Sequence, residues 1–211
     1  MTVTNREGFF TAAMGLLARE GRSGLRLAAL CRDVGVTSGS FYHHFSGWDG
    51  FVDALLEHWE TVDTRRLAEL AGREPDPEGR LDVLKHLALT FPHEAETAIR
   101  AWAHGDPRVA AVQERVDEQR RRVVAEALVG AGVEDARADR LADLALAVLI
   151  GRQQRLGPTD VGELLALFDE LMAFGHVSVL GRPDDPEHSR GAGGSLAASN
   201  RTWTSSTRGE T

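Results

Sequence analysis

An all-α fold of about nine helices is what this sequence predicts, on three observations. No stretch alternates apolar and polar residues as a half-buried strand does. Apolar residues instead recur three and four apart through the first 180 positions. The segments they mark are separated by Gly and Pro punctuation that also supplies helix starts, as at Asp76-Pro77 and Asp106-Pro107.

Taken in order, Thr4-x-x-Glu7 reads as a capping box ahead of Phe9, Phe10, Ala13, Leu16 and Leu17. Glu20-Gly21 then ends the first helix on a residue free to take a left-handed cap. Two short helices follow over residues 27–45. Leu27, Leu30, Cys31 and Val34 share one side of the first, Gly35 occupies the turn, and Val36 plugs the angle between the two. Thr37 or Ser38 caps the second, and Phe41 and Phe45, four apart, form its buried face. A long amphipathic helix runs from about Trp48 through Phe51, Val52, Leu55, Trp59 and Val62 to about Ala71, where Gly72-Arg-Glu-Pro-Asp-Pro77 breaks it.

Asp76-Pro77 opens a helix bearing Leu81, Leu84, Leu87 and Phe91. Pro92 opens a short one through Ile99 and Trp102. Asp106-Pro107 starts a long one striped by Val109, Val112, Val116 and Val123, which stops near Gly130 and Gly132. Two last helices, roughly 135–156 and 160–180, are separated by Gly157-Pro158. The organisation expected is a helix-turn-helix domain over 1–50 and a helical regulatory and dimerisation domain over 51–180. Residues 181–211, rich in Gly, Ser, Thr, Pro and Arg without apolar periodicity, read as a disordered tail.

Apolar residues at 42% and charged residues at 27% describe a globular chain with ample core. No apolar run is long enough to span a bilayer, no signal peptide is evident, and the single cysteine, Cys31, fits a reducing compartment. A cytoplasmic protein with no membrane partner is expected. Cys31 itself reads as core rather than as a redox sensor. The formal charge of -8 argues against nucleic acid only until its distribution is read. Residues 1–50 hold Arg6, Arg19, Arg22, Arg26 and Arg32 against Glu7, Glu20, Asp33 and Asp49, a balance of +1, so residues 51–211 carry -9. A neutral-to-basic head on an acidic body admits DNA head-on.

Residues 27–45 carry the functional signal. Two short helices joined by a glycine turn have the layout of a DNA-reading helix-turn-helix. With Phe41 and Phe45 turned inward, the second helix leaves Ser38, Gly39, Ser40, Tyr42, His43 and His44 outside, groups suited to base edges and phosphates. Ala18-x-Glu20-Gly21, followed by Leu30-Cys-x-x-Val-Gly-Val-Thr-Ser-Gly-Ser-Phe-Tyr-His-His-Phe45, resembles the DNA-binding head of the TetR family of transcriptional repressors. The resemblance is strong over about residues 5–55; beyond them it rests on length, helical pattern and element order. It implies double-stranded DNA as partner, with Thr37, Ser38, Ser40, Tyr42, His43 and His44 facing it and Tyr42 on phosphate. It further implies a helical body that binds a small-molecule effector and a homodimer made through the last two helices. Two departures stand out. Family members often place a lysine at the start of the fourth helix, where this sequence has Trp48, and a Ser or Thr at the start of the second, where Arg26 stands. Arg26 joins the DNA-facing set as a charged replacement for a hydroxyl.

In the body, His58, Trp59, His86, Phe91, Trp102 and His104 fall on the middle helices. Trp59, His86, Phe91 and Trp102 are the candidate cavity wall as a set, although any one of them taken alone reads first as a core residue. Arg100 is expected in solvent. Arg120-Arg121-Arg122 reads as a solvated face compensated by Asp117 and Glu118 at i,i+4 spacing. Leu144, Val148, Phe168 and Leu171 represent the broad apolar faces of the last two helices and are the candidate dimer contacts.

His86, His93, Glu94, Glu96 and His104 cluster without metal-ligand spacing, and no catalytic triad order, phosphate loop or dinucleotide fingerprint is present. Neither a metal, a cofactor nor an enzymatic activity is therefore expected. The reading preferred is a ligand-responsive repressor on a near-palindromic operator. The alternatives are a constitutive DNA-binding protein without a ligand, or a small-molecule-binding protein or enzyme with a vestigial head.

Overall fold

The computed structural model describes residues 5–155 and 158–180. The expected tail over 181–211 and the Thr4 cap lie outside them. Within the described residues the chain forms nine helices and no strand: α1 (Arg6–Gly24), α2 (Leu27–Val34), α3 (Ser38–His44), α4 (Trp48–Arg73), α5 (Pro77–Ala88), α6 (His93–Ala103), α7 (Pro107–Gly130), α8 (Asp135–Gln153) and α9 (Val161–Leu180).

Local chemistry sets most of these boundaries. The α1 cap is Asn5, whose side chain accepts from the Gly8 amide at 3.0 Å. Gly21, at φ 65°, is where α1 leaves helical geometry, and a further turn carries it to Gly24. At the end of α2, Gly35 takes φ 77° and the amide of Val36 returns to the Cys31 carbonyl at 2.9 Å, closing a Schellman-type turn. Asp76 accepts from the Gly79 amide at 2.8 Å and Asp106 from the Arg108 amide at 3.0 Å, each with proline in the first turn of the helix that follows. Phe91 lies beyond the end of α5, in the link to α6, because the helix stops at Ala88.

One aromatic-rich core begins in the head and continues into the body. Phe9, Phe41, Phe51, Leu16 and Leu30 are fully buried, and the same cluster takes in Trp59, Ile99, Trp102 and Val116. α1 packs along α6, so the core crosses residue 50 without a break. Arg22 lies 4.4 Å above the Trp102 ring, and Arg115 on α7 holds Glu60 on α4 through two 2.7 Å contacts. A second core joins α4, α5, α7 and α8 around Leu67, Leu81, Val123 and Leu141; a third joins α5, α8 and α9 around Leu149, Leu164 and Phe168.

Candidate functional site

The second helix of the turn, α3, is fixed from beneath by rings. Phe41 is 5.8 Å from Phe9 and 5.4 Å from Phe51, and Phe45 is 5.5 Å and 5.0 Å from the same two. These edge-on contacts among α1, α3 and α4 bury Phe41 completely and Phe45 nearly so. Trp48, at the first position of α4, lies 6.2 Å from Phe41 and 5.3 Å from Phe51. The residue standing where the family often has lysine thus braces the recognition helix from below. Arg19 pairs with Asp33 and ties α1 to the last turn of α2.

With that face buried, helical geometry decides what is left outside. Thr37, Ser38, Gly39, Tyr42 and His43 are exposed, and Tyr42 shows 59% of its surface. Ser40 is half-buried. His44 is half-buried too, its ring 5.6 Å from that of Phe9, so of the two histidines His43 alone projects freely. Thr37 occupies the N-cap position of α3 without using its hydroxyl there. Arg26, exposed just before α2, is likewise not spent on capping. The outward set is a guanidinium, two or three hydroxyls, a phenol and an imidazole on a rigid turn. Such groups donate to phosphate oxygens and read base edges. Cys31 stays in the α2 core, and burial pushes its thiol up, away from the reactive thiolate.

The body contains a partly open cavity of about 80 Å³ between α4, α5, α7, α8 and α9. Of the four residues expected to line it, Phe91 does. Trp59 and Trp102 are buried instead in the core shared by head and body, and His86 faces solvent with its Nδ1 2.8 Å from the Asp82 carbonyl. Leu and Ala from four helices do the lining that the sequence reading assigned to tryptophan. Phe168 and Leu171, expected at a dimer face, are also cavity residues, and Phe168 is buried within its own chain. Leu144 projects at 48% exposure, with Val148 half-buried on the same side of α8.

Two arginines correct the sequence reading outright. Arg120 is not on a solvated face but 5% exposed, in a two-bonded pair with Glu96, itself 1% exposed. Gln153 donates to the same carboxylate at 2.8 Å and lies 3.1 Å from His93, while the Phe91 ring sits 4.1 Å under the guanidinium. Burial pushes the Glu96 carboxyl up, but the Arg120 charge and the hydrogen bonds outweigh it and hold the group below its ordinary range. Arg100 is bound to Asp117 at 2.8 and 2.9 Å, which takes Asp117 away from Arg121. Arg121 and Arg122 share Glu118, which they hold at about 2, and Arg121 also reaches Asp139.

The head geometry is matched by sequence. The profile for bacterial regulatory proteins of the tetR family matches residues 9–55, the span from α1 to the start of α4. The chain carries a DNA-binding head of the TetR family over these residues. Its head and helical body are similar to a TetR transcription regulator from Haloarcula marismortui, with a TM-score of 0.68 at 18% identity, covering 82% of this chain and 96% of that one. They are also similar to a regulator from Saccharomonospora viridis solved in complex with choline, with a TM-score of 0.67 at 17% identity, covering 80% and 95%. Among curated proteins, the nucleoid occlusion factor SlmA of Marinobacter nauticus is 28% identical over 163 residues, 72% of this chain and 83% of the relative. With this N-terminal helix-turn-helix, the chain is a DNA-binding transcriptional regulator.

Proposed function

We propose that this regulator is a ligand-responsive repressor, acting in the cytoplasm as a homodimer on a near-palindromic operator. Two α3 helices would enter successive major grooves, with Arg26, Thr37, Ser38, Tyr42 and His43 as the contacting groups and Ser40 and His44 at the edge of the contact. The observation that carries the ligand part is the reach of α4. It starts at Trp48 under the recognition helix and supplies Leu67 to the cavity wall, about 29 Å further along at helical rise. A molecule that fits the cavity better in one setting of α4 shifts the population of head positions and so couples to DNA affinity. The action is binding throughout; no bond is made or broken.

The similarity to a nucleoid occlusion factor supports a second reading, a DNA-binding dimer that works without an effector. One experiment separates them. DNA recovered by the full-length protein from a random pool yields a site, and its binding is then followed while compounds are added. A repressor of the proposed kind selects an inverted repeat and loses it on adding a cavity-binding compound. Retention of the site with the cavity filled supports the second reading. Failure to select any sequence at low salt contradicts both.

A further inference from the structure

We infer that the body cavity is built for an uncharged apolar molecule, a single ring or a short alkyl chain, and discriminates against carboxylates and quaternary ammonium ions. This rests on the ligand-responsive reading and names the chemistry of its effector.

The wall decides the class. Thirteen of the sixteen described residues that form it are apolar, among them Leu81, Leu84, Phe91, Leu149, Phe168 and Met172. The other three are Lys85, Arg120 and Arg121, and among the described residues no carboxylate lines the space. A cationic ligand therefore finds no acidic partner among these wall residues and would lose its water beside three like charges. Choline, which the S. viridis neighbour holds, belongs to the class this wall repels.

An anionic ligand fares little better, because each of the three cations already has acidic partners. Arg120 is held in its buried pair with Glu96 and covered on one side by Phe91. Lys85 meets Asp82 at 2.9 Å and Asp169 at 2.6 Å, and Arg121 meets Glu118 at 2.8 Å and Asp139 at 2.9 Å. A carboxylate would have to compete with these contacts while losing its own water, and a charge buried without a partner is strongly disfavoured. Nor is a polar group awaited. Among the described residues, none of the buried side-chain polar atoms lacking a partner belongs to the wall. What remains favourable is displacement of water from hydrocarbon. The volume of about 80 Å³, its open side and the unbranched Met172 admit a small ring or chain.

The test uses the full-length protein with toluene, benzoate and choline as probes, read by calorimetry and by melting temperature. Toluene and benzoate share a ring, so their comparison isolates the charge. The expected result is saturable toluene binding at least tenfold tighter than benzoate, and no binding of choline. Ala145→Phe and, independently, Ala88→Leu fill the cavity; either variant that melts cooperatively without probe is expected to lose toluene at least tenfold. Toluene binding that survives in a folded variant, or benzoate or choline binding as tightly as toluene, overturns the inference, as does absence of binding by all three. The regulatory reading fails separately. If toluene binds in the cavity but leaves the selected DNA bound, the chemistry stands and the repressor reading falls. If benzoate or choline releases the DNA while toluene does not bind, the repressor reading stands and this inference falls.

Discussion

At the scale of single residues, the buried Glu96–Arg120 pair is the feature with the sharpest consequences. Both charges have left water, so removing one strands the other, which costs about 3–5 kcal/mol. Glu96→Gln is accordingly expected to lower the melting temperature at neutral pH by many degrees, whereas Glu118→Gln, on the surface, is expected to leave it nearly unchanged. The pH dependence has a definite sign. Glu96 titrates lower in the folded than in the unfolded chain, so its contribution is complete above the unfolded carboxylate range and is lost as pH falls through the folded value. Wild-type melting temperature should therefore fall steeply in acid, and the Glu96→Gln profile should fall less. Parallel profiles would contradict the pair's role.

These charges were partly legible in the sequence. Position 120 is four after Val116 and three before Val123, on the valine stripe of α7, and position 96 is three before Ile99 on the apolar side of α6. The i,i+4 acids near Arg120-Arg121-Arg122 pointed to local pairing instead. Only the crossing of α6 over α7, a tertiary fact, supplies Glu96 to Arg120 and Asp117 to Arg100. The cavity wall escaped for a related reason. Aromatic residues mark apolar interior, but nothing in their spacing says whether that interior is filled, as around Trp59 and Trp102, or open.

The helix-turn-helix is the element whose sequence was most informative, because its turn chemistry is local. Gly35 at φ 77° and the paired aromatics Phe41 and Phe45 fix the angle and inner face of α3 by short-range rules. The outer face then follows from the helical repeat, except that Phe9 draws His44 inward. A Cβ at position 35 meets no neighbouring atom within 4 Å, so Gly35→Ala isolates backbone strain, about 1–2 kcal/mol for a left-handed residue. The expected outcome is a stability loss of that size by denaturant unfolding, with no change in cooperativity. An unchanged midpoint would show that the turn does not need glycine.

For the whole molecule, Leu144 and Phe168 separate two roles that the apolar face of the last helices confounds. Leu144 is half-exposed and available to a second subunit, while Phe168 closes the chain's own core. In the proposed dimer, Leu144→Arg should produce a folded monomer by sizing with weakened operator binding. Phe168→Ala should instead destabilise each chain by about 3–5 kcal/mol. A Leu144→Arg protein that remains dimeric would move the interface elsewhere.

Contact of α3 and its flanking arginine with DNA is tested most directly by the salt dependence of binding to the selected site. Replacing Arg26 by Ala removes one ionic phosphate contact and should flatten the log–log slope by about 0.9. Replacing Tyr42 by Ala should weaken binding with little change in that slope, since a phenol carries no charge. Wild-type affinity and slope in both variants would mean that the protein meets DNA through another surface.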